Sequence, residues 1–340
     1  MLQGLRIRKK LLLLFGLLLF VSPHSYAFQD QAKKKAPEGP PILWREPTDI
    51  AARDLLLGPG GEEMKPDLSR LTFIEEQKGG YSKKYRVRDA QGRVWVAKLG
   101  KEAQSETAAA RLVWAVGYMS EINYLAPRAT IEGKGTFENV RFEARPENVK
   151  REDEWRWDSN PFGGSRELQG LKVLMALMEN WDLKNSNNRV LVVSRNGHNE
   201  LHYIISDLGA TFGKTGGQWS PIAFIRKIKG SRNDPEDYAN DEFVEEVDGK
   251  IVRLDYNGKN SSMMRHITVS DAKWIGGWLS RLSDNQIQDA FRAANYSSVE
   301  VRMLAGAVRK RINQLVNLQS GGTISGVPST TENGPDVKRD

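Results

Sequence analysis

The sequence predicts an α+β fold in two lobes, a β-rich small lobe followed by a mainly helical large lobe. Three observations carry this. Between residues 71 and 144 the chain reads as short strand-forming runs separated by glycine turns. After residue 165 the apolar residues recur at the three- and four-residue spacing of helices. The residues richest in chemistry, at 180–187 and 206–209, fall between the two patterns. Strands first and helices last argues for segregated lobes, here 66–146 and 147–319.

The small lobe opens with a strand at 71–76, the Gly79-Gly80 turn, a strand at 84–88, a turn at 89–92 and a strand at 94–99 that carries Lys98. A helix is expected to begin near Ser105, with Leu112, Val116 and Met119 near helical spacing and Gly117 at its end. Glu106 would then lie in the first turn, as the carboxylate that pairs with Lys98, and Glu102 is its competitor. Strands at 124–131 and 137–144, joined through Gly133-Lys134-Gly135, complete a five-stranded lobe, and Arg145-Pro146 forms the hinge. Trp155 and Trp157, at alternate positions, either roof a ligand or pack in the core, which is the commoner fate of tryptophan.

In the large lobe Ser165 opens a helix whose Leu168, Leu171, Leu174, Met175 and Met178 share one face. It feeds the stretch 180–187, which is followed by two β-branched runs, 190–193 and 201–205, around Asn196-Gly197, the strongest short-range signal for a tight hairpin. Arms of nearly equal length return the chain to its start, so Asp207 should lie beside Asn187. Asp182, Asn187 and Asp207 then converge. Residues 216–262 are irregular apart from a hairpin of 243–247 and 251–254, and Arg226, Lys227 and Lys229 form a basic cluster able to meet an anionic substrate. A helix at 271–282 and two capping boxes, Ser283 with Gln286 and Ser297 with Glu300, mark the helical end.

Transfer of a phosphoryl group depends on positioning and charge neutralisation more than on covalent chemistry. Asp182 can take the proton of an attacking hydroxyl, and Lys184 can neutralise the moving phosphate. Asn187 and Asp207 supply oxygen ligands for Mg²⁺, which favours one or two carboxylates plus phosphates and waters. Asp182-Leu183-Lys184-x-x-Asn187 resembles the D-L-K-x-x-N catalytic loop of protein kinases, and Asp207-Leu208-Gly209 resembles their magnesium-binding D-F-G. Lys98, in Val94-Trp95-Val96-Ala97-Lys98, sits like the V-A-I-K lysine that reaches the nucleotide phosphates. The resemblance implies a two-lobed kinase-like fold over about residues 71–315, ATP or another nucleoside triphosphate with Mg²⁺, and Gly79 and Gly80 over the nucleotide. Gly79-Gly80-Tyr81 is not G-x-G-x-x-G, and no histidine precedes Asp182. The chain therefore looks closer to the atypical branch of HipA-like, phosphatidylinositol-kinase-like and secreted Golgi casein kinase-like enzymes.

A second phosphate motif is a near miss. Gly209 to Thr215 has three residues between its glycines where the P-loop requires four. In the kinase reading this stretch opens the activation segment, with Thr211, Lys214 and Thr215 bordering the substrate.

Residues 1–27 read as a signal peptide: basic Arg6, Arg8, Lys9 and Lys10, an apolar run at 11–21, and Ser25-Tyr26-Ala27. The run is short for a membrane span, so an exported, periplasmic or secreted protein with no stable span after leader cleavage is expected. Residues 28–65 form a tether and N-terminal extension, and 320–340, rich in Gly, Ser, Thr and Pro, a disordered tail. There is no cysteine, hence no disulfide. The formal charge of +7 falls to +3 without the four leader cations, and no basic-aromatic stripe favours nucleic acid. A hydrolase lacks its G-x-S-x-G. The expected activity is phosphoryl transfer to a hydroxyl on a protein, lipid or small molecule. The alternative is a kinase-like module that binds a ligand or partner without catalysis.

Overall fold

The computed structural model describes residues 37–79, 82–216 and 230–320. Residues 1–36, Gly80, Tyr81, the Arg226, Lys227 and Lys229 cluster and the tail from 321 onward lie outside them. The architecture is α+β in two lobes, with the order of parts that the kinase-like motifs imply.

The small lobe is an antiparallel five-stranded sheet, β2 (Thr72–Gln77), β3 (Lys84–Arg88), β4 (Val94–Lys98), β5 (Asn123–Ile131) and β6 (Gly135–Ala144), in the order β2-β3-β4-β6-β5. Side chains alternate faces along a strand. Trp95 and Ala97 on β4 therefore join Val140 and Phe142 on β6 in an apolar core, while Val96, Lys98, Arg141 and Glu143 face the other way. The turn before β4 is held by the buried Asp89 carboxylate, which accepts from Gln91 N, Arg93 N and Trp95 Nε1.

Helix α1 (Glu102–Ala115) follows β4. It starts three residues before the expected Ser105, because the Gly100-Lys101 turn drives the chain directly into a helical course, Gly100 having φ +100°. Glu106 thus stands in the second turn. The helix is buried almost all round, packing on β5 and β6 on one side and on the large-lobe helix α5 on the other.

The large lobe opens with β7 (Val149–Arg151), then α2 (Arg166–Leu177), capped by Ser165 Oγ accepting from Leu168 N at 3.1 Å. The hairpin β8 (Asn188–Arg195) and β9 (His198–Ile205) follows as expected, its turn residues Asn196 and Gly197 at φ +49° and +80°. Its register pairs Asn188 with Ile205. β7 adds to one edge of this hairpin and β1 (Pro41–Ile42) adds in parallel to the other, so the segment read as a tether ends in a strand. The extension packs on both lobes: Leu43, Ile50 and Leu55 enter the large-lobe core and Trp44 rests against Trp274 and Trp278 with ring centroids 5.1 and 5.6 Å away, while Met64 packs on the small-lobe core and Gly61 O accepts from Tyr124.

After α3 (Pro235–Asn240) and the expected hairpin β10 (Val244–Asp248) and β11 (Ile251–Leu254), three helices close the lobe: α4 (Val269–Ser280), α5 (Asp284–Arg292) and α6 (Ser298–Val316). Both predicted capping boxes are present, and a third, Thr268 with Asp271, starts α4 two residues early. No described helix is long and apolar enough to cross a membrane.

The hairpin turn carries the site, because it fixes where Asp207 lands. Open space surrounds Gly197, so only its left-handed backbone resists a side chain. Gly197→Val should destabilise the protein by about 1–2 kcal/mol, read by equilibrium urea unfolding, the cost of holding an L residue in that region.

Candidate active site

A cavity of about 770 Å³ between the sheet and the β8–β9 hairpin is lined by Gly79, Lys98, Glu106, Asp182, Lys184, Asn187 and Asp207. The candidate catalytic, metal and nucleotide residues among the described residues are therefore in one place. Gly80 lies outside them.

The hairpin brings its two ends together as the equal arms require: Ser206 N and Asp207 N both donate to Asn187 O, at 2.8 and 3.2 Å. Lys98 enters from the opposite lobe. Its ammonium is buried and meets Glu106 at 2.7 Å, Glu102 at 3.1 Å and Asp207 at 3.4 Å. The two expected competitors thus share the lysine. Burial alone would lower the Lys98 pKa, but Glu106, Asp207 and Glu102 outweigh it and hold the group protonated well above its ordinary range. Burial pushes Asp207 up, and Lys98, the Gly209 N–H and Lys84 more than offset this, so its carboxylate sits below the usual range. Asp207 is anionic at neutral pH.

Asp182 Oδ2 accepts from Lys184 Nζ at 2.8 Å, while its Oδ1 is enclosed and has no hydrogen-bond partner. Asn187 Nδ2 donates to Asp182 O at 2.6 Å, which leaves the amide oxygen as the atom for a cation. The loop itself is held through its carbonyls. Leu177 O accepts from Tyr238 and Arg311, Asn180 O from Tyr256, Trp181 O from Lys259 N, and Leu183 O from Asn260. These hydrogen bonds hold the backbone of a non-helical segment in place, and with it the side chains it carries.

Several charged residues of the cavity escaped the sequence reading. Register places Lys84, Lys98 and Arg141 side by side across β3, β4 and β6, a row of like charges that would repel without counter-charge. Arg141 is answered by Glu143 at 2.9 Å, Glu106 at 3.4 Å and Glu121 at 3.8 Å. Glu143 also pairs with Arg145 and Arg151, and although burial raises its pKa, Arg145 and Arg141 bring it down to about 2. Arg151 pairs with Glu121 and reaches Ser206 Oγ at 2.6 Å. Arg232 pairs with Glu102 and lies 4.6 Å over the Trp181 ring. The available signal was the alternation in 140–144, where Arg141 and Glu143 alternate with Val140, Phe142 and Ala144.

Other expectations are corrected. Thr211 and Thr215 are buried, Thr211 Oγ1 donating to Leu208 O at 2.8 Å, and Lys214 pairs with Asp237 at 2.7 Å; none of the three lines the cavity. Trp155 and Trp157 pack on each other at 4.9 Å and are core.

No protein-family model and no curated protein matches the chain. Among solved structures the chain is similar to a Helicobacter pylori proinflammatory kinase, CtkA, with TM-score 0.45 and 13% identity over 74% of this chain and 97% of that one. That likeness is too loose to transfer any residue, so the site stands on its own geometry.

At the end of α2, Glu179 supports the loop in a left-handed conformation, φ +55°, with Oε1 taking Arg311 at 2.8 Å and Oε2 unpartnered. Burial pushes its carboxyl up to about 8, which Arg311 only partly counters and Asp241 reinforces. A raised carboxyl pKa gives stability that is full below the ordinary 4.5 and lost as pH rises through about 8. In urea unfolding from pH 4.5 to 9, Glu179→Gln should match the wild type at the acid end and exceed it at pH 9.

Proposed function

We propose that the chain is a Mg²⁺-dependent phosphotransferase that moves the terminal phosphoryl group of a nucleoside triphosphate to a hydroxyl on a protein, lipid or small molecule. The observation that carries this reading is the meeting of Lys98, from the sheet, with Asp207, from the hairpin, at 3.4 Å in a cavity that also holds Asp182, Lys184 and Asn187. A decayed site has no reason to keep that set together. It favours catalysis over a module that only binds a partner.

The residues fit a Mg²⁺ ion. Asp207 is anionic, and the Asn187 amide has an oxygen to offer. Among the described residues no three His, Cys, Asp or Glu side chains cluster as a metal site, so an ion here would take its other ligands from phosphate and water, as Mg²⁺ commonly does. Bound there, Mg²⁺ would neutralise phosphate oxygens.

The chain's own groups do the rest. Glu106 and Glu102 hold Lys98 on the phosphates. Asp182 orients the acceptor hydroxyl and takes its proton through Oδ2, and Lys184, half exposed and already beside that oxygen, turns to the transferring phosphoryl group. The set is most like that of the atypical HipA-like, phosphatidylinositol-kinase-like and Golgi casein kinase-like enzymes. Residues 1–27 support export, and the acceptor would then be met outside the cytoplasm.

Calorimetry tests the site. ATP binding should require Mg²⁺ and weaken at least about tenfold in Asp207→Ala. Asp182→Asn should keep binding and lose about 10²–10⁴-fold in transfer rate, the range for a positioned acid-base group. If neither ATP nor GTP binds at millimolar concentration, the partner-binding reading replaces this one.

A further inference from the structure

Among the described residues the inter-lobe cavity is not lined for a nucleobase. Sites for flat rings are lined mostly by apolar side chains. Among the described residues lining this one only Val96, Trp181 and Ala210 are apolar, and the Trp181 ring is covered by Arg232. The hinge offers little backbone edge either: Ala144 N–H is given to Ile122 O and Arg145 N–H to Val94 O, and Pro146 has no N–H.

Cations fill the space instead. Arg151 and Arg189 both line the cavity, and among its described lining residues Lys and Arg outnumber Asp and Glu ten to five. A bound anion would balance that excess. The cationic lining also runs on past the cavity. Arg145 and Arg151 are shared with a neighbouring cavity of about 550 Å³ whose other lining includes Arg86 and Arg88 and, among the described residues, a single carboxylate, Glu147. Asp182 and Lys184 take no part in that second cavity, so the track leads away from the acceptor side.

Building on the phosphotransferase reading, we infer that the phosphoryl donor is recognised as an extended polyphosphate chain, without readout of a base. The triphosphate of any nucleotide fills the part nearest Asp207, and inorganic polyphosphate fills the whole track. In the transfer, the acceptor oxygen bonds to the terminal phosphorus. The bridging P–O bond breaks with its electron pair going to the shortened chain, and the hydroxyl proton passes to Asp182. No further reactant is needed. Single-stranded nucleic acid fits less well, because its binding sites stack bases on aromatic side chains, and the second cavity has none among the described residues.

Calorimetry on the full chain with Mg²⁺ tests this, using ATP, GTP, CTP, inorganic tripolyphosphate, long-chain polyphosphate and a single-stranded oligonucleotide. The nucleotides and tripolyphosphate should bind within about threefold of one another, and long-chain polyphosphate at least about tenfold more tightly. Arg86 and Arg88 are exposed strand residues whose partners, Glu75 at 3.3 Å and Gly92 O at 2.7 Å, are surface contacts of small energetic weight. The double variant Arg86→Glu/Arg88→Glu should cut the long-chain advantage to about twofold or less. One nucleotide binding at least about tenfold more tightly than tripolyphosphate would show base readout and overturn the inference, leaving the phosphotransferase reading intact. An oligonucleotide that displaces the long chain would overturn it in favour of a nucleic-acid track. Absence of any Mg²⁺-dependent binding would remove both readings.

Discussion

The buried ammonium of Lys98 is the constraint on which the rest depends. A charge taken out of water is tolerated only when it is closely paired, and this one draws its partners from two places. Glu102 and Glu106 come from α1, and Asp207 comes from the end of the hairpin. Sheet, helix and large lobe are therefore fastened at one atom. Because α1 also packs on α5, a shift of that helix would move Glu106 and disturb Lys98 at the same time.

The charge web around that atom is nearly self-neutralising, and this explains how a lobe with so small an apolar core tolerates it. Lys84, Lys98 and Arg141 stand in one row, with Glu102, Glu106, Glu121 and Glu143 set around them. Pairing of this kind adds little net stability over an apolar replacement, but removing one partner would leave an uncompensated buried charge. A chain that keeps so many ionised groups inside is keeping them for what they hold.

Local rules made much of the site legible. Asn196-Gly197 and two arms of equal length sufficed to put Asp207 beside Asn187, because hairpin register follows from turn type and length. Ser283 and Ser297 announced their helices through side chains that satisfy the first free N–H groups. What stayed hidden depends on distant partners. Nothing near Pro41 or Val149 announces the edge strands there, since an edge strand is defined by the neighbour it joins. The cation row became visible only with the strand order β3-β4-β6, which no local pattern states. Helix α1 began early because the Gly100 turn, and not a capping side chain, launched it. Thr211 and Thr215 read in sequence as activation-segment residues bordering the substrate, yet both are buried, Thr211 held on Ser105 O and Leu208 O.

Arg311 gives the loop a place in the order of synthesis. It stands on α6, the last described helix, and its guanidinium closes on Leu177 O, Glu179, Tyr238 O and Asp241 O at the start of the 180–187 loop. Residues 177–187 leave the ribosome well over a hundred residues earlier. Until α6 docks, Leu177 O and Glu179 lack this partner. A growing or truncated chain can thus form its sheet and hairpin before the last support of the loop is in place.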